Sequence, residues 1–372
     1  MAKQSDKNIR NIKISPKSKI VLEERYLKKN ESGKIIETPE EMFRRVASNI
    51  ALADAEYKTN VDIDTLKDQF QSAMSNLEFL PNSPTLMNAG REFQQLSACF
   101  VLPVEDSIES IFDTVKYAAL IHQSGGGTGF SFSNIRPRND IVTSSGGKAS
   151  GPISFMKVFN EATEAISQGG FRRGANIAVL RIDHPDILDF ISAKEREGSL
   201  INFNISVSIT DKFMKALEEN RKYSLVNPRN GAVVRQLYAR EVFDKLIHAA
   251  WKNGEPGAIF IDRINDSNPT PDVGEIESTN PCGEQPLLPF ESCVLGSINL
   301  TRMLIQEDGS YKINWKKLSD TIKLGVHFLD NIIDMNKYPL IDIAGITRRN
   351  RKIGLGVMGF ADMLVMIDIP YN

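Results

Sequence analysis

Asn280-Pro281-Cys282-Gly283-Glu284-Gln285-Pro286-Leu287 sets a thiol midway between a carboxamide and a carboxylate. The two prolines disfavour a helix, so the segment reads as a stiff, extended loop. In extended backbone the side chains at i, i+2 and i+4 point the same way, roughly 6–7 Å apart at each step. Asn280, Cys282 and Glu284 are therefore expected to share one face, with Pro281 and Gly283 adding no bulk to the other. The same residues also suit a plain turn around a small buried cysteine. Spacing alone leaves a reactive and a structural thiol both open.

Working outward, the chain has 372 residues, enough to bury a large core and to hold more than one domain. Apolar residues make up 41% and charged ones 25%, the composition of an ordinary globular protein. Against 47 acidic residues stand 45 Lys and Arg, for a net charge of −2. That balance argues against a nucleic-acid binder working through bulk charge. Three cysteines fit a reducing cytoplasm better than a disulfide scaffold. No apolar run approaches the roughly 18–20 residues of a membrane span, and no signal segment is evident. The four histidines (His122, His184, His248 and His327) lack metal-ligand spacing and read as structural, so no metal site is expected.

Residues 1–18 are polar and read as a disordered tail. From 19 to 95 the pattern is helical. Thr38-Pro39-Glu40-Glu41 is a helix start with an N-cap, a proline and early acids, and a second helix is expected from about Ile63 to Asn76. Ser97–Pro103 reads as a short buried strand holding Cys99. Asp106, with Glu109 three residues on, is expected to cap a helix ending near Ser124. Ser124–Phe130 carries glycines dense enough for a flexible turn or for close approach of a ligand. Ser144–Gly151 is a second glycine-rich loop, leading into a helix at Pro152, with Lys148 nearby as a possible anion contact. Arg172 and Arg173, flanked by glycines, suit either a phosphate or a solvated turn. Strands at 177–180, 203–209 and 258–261 alternate with helices at 211–219, 241–252, 315–335 and 360–365. This alternation argues for an α/β architecture rich in parallel strands.

Taken in order, several motifs resemble the adenosylcobalamin-dependent (class II) ribonucleotide reductases. They are Asn82-Ser-Pro-Thr-Leu-Met-Asn88, Leu96-Ser-Ala-Cys-Phe100, Phe171-Arg-Arg-Gly-Ala175, Asn280–Leu287, Cys293–Leu300 and Gly354–Gly359. The resemblance implies an N-terminal helical domain (19–95) followed by the first part of a ten-stranded α/β barrel (96–372), incomplete at its C-terminus. It implies reduction of ribonucleotides to 2′-deoxyribonucleotides with adenosylcobalamin (vitamin B12). Cys282 matches the thiyl-bearing cysteine, Glu284 the carboxylate that takes the 3′-OH proton, and Asn280 the amide that holds the ribose. Cys99 and Cys293 match the pair oxidised to a disulfide, which thioredoxin or glutaredoxin would re-reduce. Substrate contacts carry over to Ser83, Ala98, Cys99, Gly127 and the run Asn280, Pro281, Cys282, Gly283, Glu284.

A dNTP effector site at a homodimer interface carries over to Asp106, Arg136 and Lys148. A specificity loop carries over to Gly170, Arg172, Arg173 and Gly174. The later barrel strands, the phosphate-binding loop and the C-terminal relay cysteines lie beyond Asn372 in the family, and no N-terminal ATP-cone-like extension of usual size precedes Val21. The chain is thus expected to be a fragment that does not turn over alone: a truncated sequence, a gene split by an intein or intron, or one half of a two-chain enzyme. Other readings are the large subunit of a metal-dependent class I reductase, an inactive dNTP-binding remnant, and an unrelated cytosolic thiol oxidoreductase. The last lacks a Cys-x-x-Cys motif.

Overall fold

A computed structural model describes residues 12, 14–57, 60, 62–142, 146–167, 174–196 and 198–371. By contacts the chain divides into two units: residues 1–98 with 293–372, and residues 99–292.

The first unit opens with α1 (Pro16–Arg25), whose first residues lie inside the expected tail. Thr38 caps α2 (Pro39–Ala51) through a full capping box with Glu41, and Asp62 caps α3 (Ile63–Ser75). After β1 (Phe79–Pro81), Asn82 accepts from Thr85 N to start α4 (Ser83–Asn88), so the Asn-Ser-Pro-Thr run is a helix cap.

The second unit begins with β2 (Cys99–Leu102), α5 (Ile108–Gln123), β3 (Gly127–Ser131), the short hairpin β4 (Ile141–Val142) and β5 (Gly147–Lys148), and α6 (Pro152–Ser167). It continues through β6 (Asn176–Arg181), α7 (Ile187–Ile191), β7 (Phe203–Ile209), α8 (Asp211–Glu218), the hairpin β8 (Lys222–Val226) and β9 (Val233–Tyr238), and α9 (Ala239–Asn253). Then come β10 (Gly257–Phe260), α10 (Ile261–Asp266), β11 (Ser278–Thr279) and β12 (Pro286–Leu287). β2, β3, β6, β7 and β10 pair in that order, all parallel. This matches the alternation of strand and helix signals, since parallel neighbours need crossovers.

The two faces of β3 and β6 are furnished differently. Phe130 and Phe132 stack edge-on against Phe159 of α6, with ring centroids 4.8 and 5.5 Å apart. On the other face Ile177 and Val179 join Ile259, Ile276 and Leu288 in a second apolar cluster.

The chain then returns to the first unit. β13 (Ser292–Asn299) pairs antiparallel with β1 and parallel with β16 (Ile353–Met358). Between them lie the hairpin β14 (Leu304–Glu307) and β15 (Ser310–Ile313), then α11 (Trp315–Met335) and α12 (Ile341–Asn350); α13 (Phe360–Met366) follows β16. Phe328 of α11 meets Phe70 and Phe79 edge-on at 4.9 and 5.4 Å, in a core shared with α2 and α3. Among the described residues no helix is long and apolar enough to cross a membrane.

Candidate functional site

The 280–287 stretch is not extended over its first half. β11 and β12 pair antiparallel, and residues 280–285 make the turn between them. Gly283 N donates to Asn280 O (3.0 Å) and Asn280 N donates to Gln285 O (3.1 Å). Pro281 supplies the fixed φ that opens such a turn, and Gly283 adopts φ +85°. The expectation of one shared face is therefore corrected. Asn280 and Pro281 are buried, whereas Cys282, Gly283 and Glu284 are exposed at the tip.

Asn280 organises the turn. Its Oδ1 accepts from Gln285 N (2.9 Å) and its Nδ2 donates to the sulfur of Cys99 at 3.3 Å. Its side chain is fully enclosed. Cys99, 7% exposed, opens β2 and is the register partner of Gly127 on β3. Cross-strand partners face the same way, which places the sulfur on the hairpin side of the sheet.

The glycine-rich run 124–130 is likewise not a flexible turn. Gly125, at φ +82°, ends the run-out from α5, and Gly127–Ser131 is a fully buried strand. A Cβ on Gly127 would stand 2.8 Å from Pro281 Cγ, and one on Gly129 only 1.8 Å from Thr279 O. The glycines let the hairpin lie directly on the sheet backbone. Asn204 of β7 completes the seat by donating to Pro281 O at 2.7 Å. Thr279, Gly129 and Asn204 were not foreseen from the sequence. The Gly-x-Gly alternation at 127–129 was the available signal, because alternate strand positions share a face.

Behind β3, His122 is 3% exposed and its Nε2 lies 2.8 Å from Thr128 Oγ1. Burial lowers its pKa to about 4. A histidine kept neutral in the folded state loses stability as pH falls, because only the unfolded chain takes up the proton. Between about pH 6.5 and 4 the loss is expected to reach about 3 kcal/mol. Urea midpoints at pH 7 and 4.5 should show it, and His122→Gln should remove that share of the pH dependence.

Asp106 does not cap α5. Ser107 does, accepting from Ser110 N (3.1 Å). Asp106 instead accepts from Arg136 N (3.1 Å) and Nε (2.7 Å), which brings two sequence-predicted effector residues together. Arg136 Nη1 also reaches Ile141 O (3.5 Å), and Ile141 is the cross-strand partner of the exposed Lys148. Asp140 beside it accepts from Arg229 Nε (2.9 Å) and Asn227 Nδ2 (3.1 Å), and the Arg229 hydrogen bond first of all holds its carboxyl at about 2. Gly170, Arg172 and Arg173 lie outside the described residues; Gly174 is buried.

In the first unit, Ser83 Oγ lies 2.8 Å from Tyr26 Oη, and Ala98 N donates to Cys293 O (3.2 Å). Cys293 is fully buried on β13. No disulfide joins any of the three cysteines.

The ribonucleotide reductase all-alpha domain matches residues 15–94 and the ribonucleotide reductase barrel domain matches residues 97–372. The chain belongs to the ribonucleotide reductase family. It is 49% identical to a vitamin B12-dependent ribonucleoside-diphosphate reductase of Thermoplasma acidophilum, covering 97% of this chain and 54% of the relative. A protein of the same description from Mycobacterium tuberculosis is 48% identical, covering 97% and 52%. The ribonucleoside-diphosphate reductase subunit alpha of Chlamydia muridarum is 30% identical, covering 94% and 36%. The chain spans about half the length of the first two relatives.

Proposed function

We propose that this chain carries the thiyl-bearing turn of a vitamin B12-dependent ribonucleotide reductase that makes 2′-deoxyribonucleotides. The observation that carries the reading is the hairpin itself: Cys282 is exposed at its tip, while Asn280 holds the sulfur of Cys99 at 3.3 Å. The B12 assignment is supported by the 48–49% identity to the Thermoplasma and Mycobacterium B12-dependent relatives, against 30% to the subunit-alpha relative. The exposure of Cys282 and Gly283 at the tip leaves the thiol accessible to a radical donor. Adenosylcobalamin, when bound, supplies the radical equivalent that makes Cys282 a thiyl. No cobalt ligand is assigned within the chain.

Cys282 Sγ then removes the 3′-hydrogen of the ribose. Glu284 takes the 3′-OH proton, help typically worth about 10²–10⁴-fold, and Asn280 orients the sugar. The 2′-OH leaves as water. The thiols of Cys99 and Cys293 give up two electrons and two protons and join as a disulfide: one proton leaves with the 2′-OH as water, the other forms the new C2′–H bond with the electron pair, Glu284 returns its proton to the 3′ oxygen, and Cys282 returns the 3′-hydrogen. Thioredoxin- or glutaredoxin-type thiols then reduce the pair. Ser83, Ala98 and Gly127 complete the substrate contacts, and the names of the relatives favour a diphosphate substrate. Asp106, Arg136 and Lys148 hold a dNTP effector in a homodimer, and the loop with Gly170, Arg172, Arg173 and Gly174 relays its identity. The helical domain gives way to the barrel near residue 95, between the two matched regions.

The test uses the longer polypeptide that carries these residues, or this chain complemented with the C-terminal half of the Thermoplasma relative. With adenosylcobalamin and prereduced thiols, and without a metal-bearing subunit, a single turnover should yield deoxynucleotide. Product that forms only after a metal-bearing subunit is added would overturn the cobalamin assignment.

A further inference from the structure

His122 sits on the last turn of α5, on the helix side of β3 and across that strand from the hairpin. The hydrogen bonds that start from it have only one consistent direction. Thr163 Oγ1 donates to Phe159 O (2.8 Å), and Asn176 Nδ2 donates to Thr163 Oγ1 (2.9 Å). Thr128 Oγ1 donates to Asn176 Oδ1 (2.7 Å). The Thr128 hydrogen is thereby committed, so at 2.8 Å the imidazole must be the donor. This fixes the Nε2–H tautomer, and Nδ1 is left as a buried lone pair with no partner. A buried acceptor left unpaired is unfavourable. A leucine would fill the space without that cost, which points to a role for the Nε2–H donor beyond filling.

We propose that His122 is a positioning residue for the Asn280–Glu284 turn, acting through Thr128 and β3. β3 is gripped on one face and bare on the other. The Thr128 side chain is held by His122 and Asn176, whereas Gly127 and Gly129 turn only backbone toward Pro281 and Thr279. With no compliant side chain between them, a shift of β3 passes directly to Thr279–Pro281. From there it reaches Asn280, whose amide holds both Gln285 N and the Cys99 sulfur. The ring is itself wedged: a Cβ on Gly174 would lie 2.8 Å from His122 Cγ. The imidazole is therefore packed between the backbone leading into β6 and the hydroxyl that fixes β3.

The kinetic consequence rests on the function proposed above; the mechanical one does not. The experiment compares His122→Gln, which keeps a donor near the Nε2 position, with His122→Leu and Thr128→Val, which remove the link. In the longer polypeptide, His122→Leu and Thr128→Val are expected to lower kcat by about tenfold or more while KM stays within about threefold, since small misplacements of reacting groups are costly. His122→Gln should stay within about threefold of the parent in both.

A second readout needs no activity. Iodoacetamide alkylation of Cys99, followed by peptide mass mapping, should speed up about fivefold or more in the Leu and Val variants, because the contact that covers the sulfur loosens. The Gln variant should be unchanged. If the parent shows no reductase activity, the functional reading fails and alkylation alone decides the positioning role. Unchanged kcat and alkylation in the Leu and Val variants would overturn the proposal, as would a Gln variant as impaired as the Leu variant. Thr128→Val, nearly isosteric, keeps the test decisive if His122→Leu does not fold.

Discussion

Cys282→Ala is expected to stop deoxynucleotide formation, lowering turnover by at least about 10⁴-fold, with little change in stability. Hydrogen bonds of Asn280, Gly283, Gln285 and Asn204 hold the turn. The sulfur of Cys282 is exposed. Replacement of an exposed side chain usually changes stability by no more than about 0.5 kcal/mol, so the thermal midpoint should stay within about 2 °C of the parent. Cys282→Ser sharpens the result. A serine can replace a cysteine in some polar roles, but its O–H bond is too strong to serve as a hydrogen-atom carrier. Both variants should therefore be equally inactive in a quench-flow assay of deoxynucleotide. Residual turnover of about 1% or more in the serine variant would rule out a thiyl radical at this position.

The parts of the fold that were legible in the sequence are those set by local periodicity. Trp315–Met335 and Phe203–Ile209 fall where their 3.6- and 2-residue patterns put them, and the helix at Pro39 starts where its cap predicts. The misreadings have a common physical origin. Pro281 and Gly283 were read as neutral spacers in an extended strand, but Asn280 closes them into a turn whose amide is then spent on Cys99. Gly127 and Gly129 read locally as a flexible turn or as room for a ligand, whereas their bareness is required by a hairpin more than 140 residues away in sequence. Asp106 reads locally as the cap of α5, but it accepts from Arg136, thirty residues on, and the cap falls to Ser107. For the two glycines and for Asp106 the deciding partner is distant in sequence, which no local rule can see. Of the candidate site, the sequence makes legible only that Asn280, Cys282 and Glu284 fall in one short proline-bounded segment; the turn that places them is decided by the contacts above.

The second large effect is expected at a residue with no chemistry of its own. Gly129→Ala adds a single methyl group, and that methyl would stand 1.8 Å from Thr279 O and 2.9 Å from Thr279 C. Both are backbone atoms of β11, so no side-chain rotation relieves the clash. Either β3 or the hairpin must move by more than 1 Å, given an ordinary carbon–oxygen contact of more than about 3 Å. Overpacking of this kind typically costs about 1–3 kcal/mol, and the rigid backbone on both sides places Gly129 at the upper end. Gly127→Ala meets the Pro281 ring at 2.8 Å instead. A ring can tilt, so about 1 kcal/mol is expected there. The two variants thus separate stability from placement. Gly129→Ala should lower the urea midpoint more than Gly127→Ala does and cut turnover by about 10²-fold or more, because displacement of the turn by about 1 Å misaligns Cys282 and Glu284 with the sugar. If Gly129→Ala folds and turns over like the parent, β3 does not set the position of the turn, and the hairpin must take its place from the β11–β12 pairing alone.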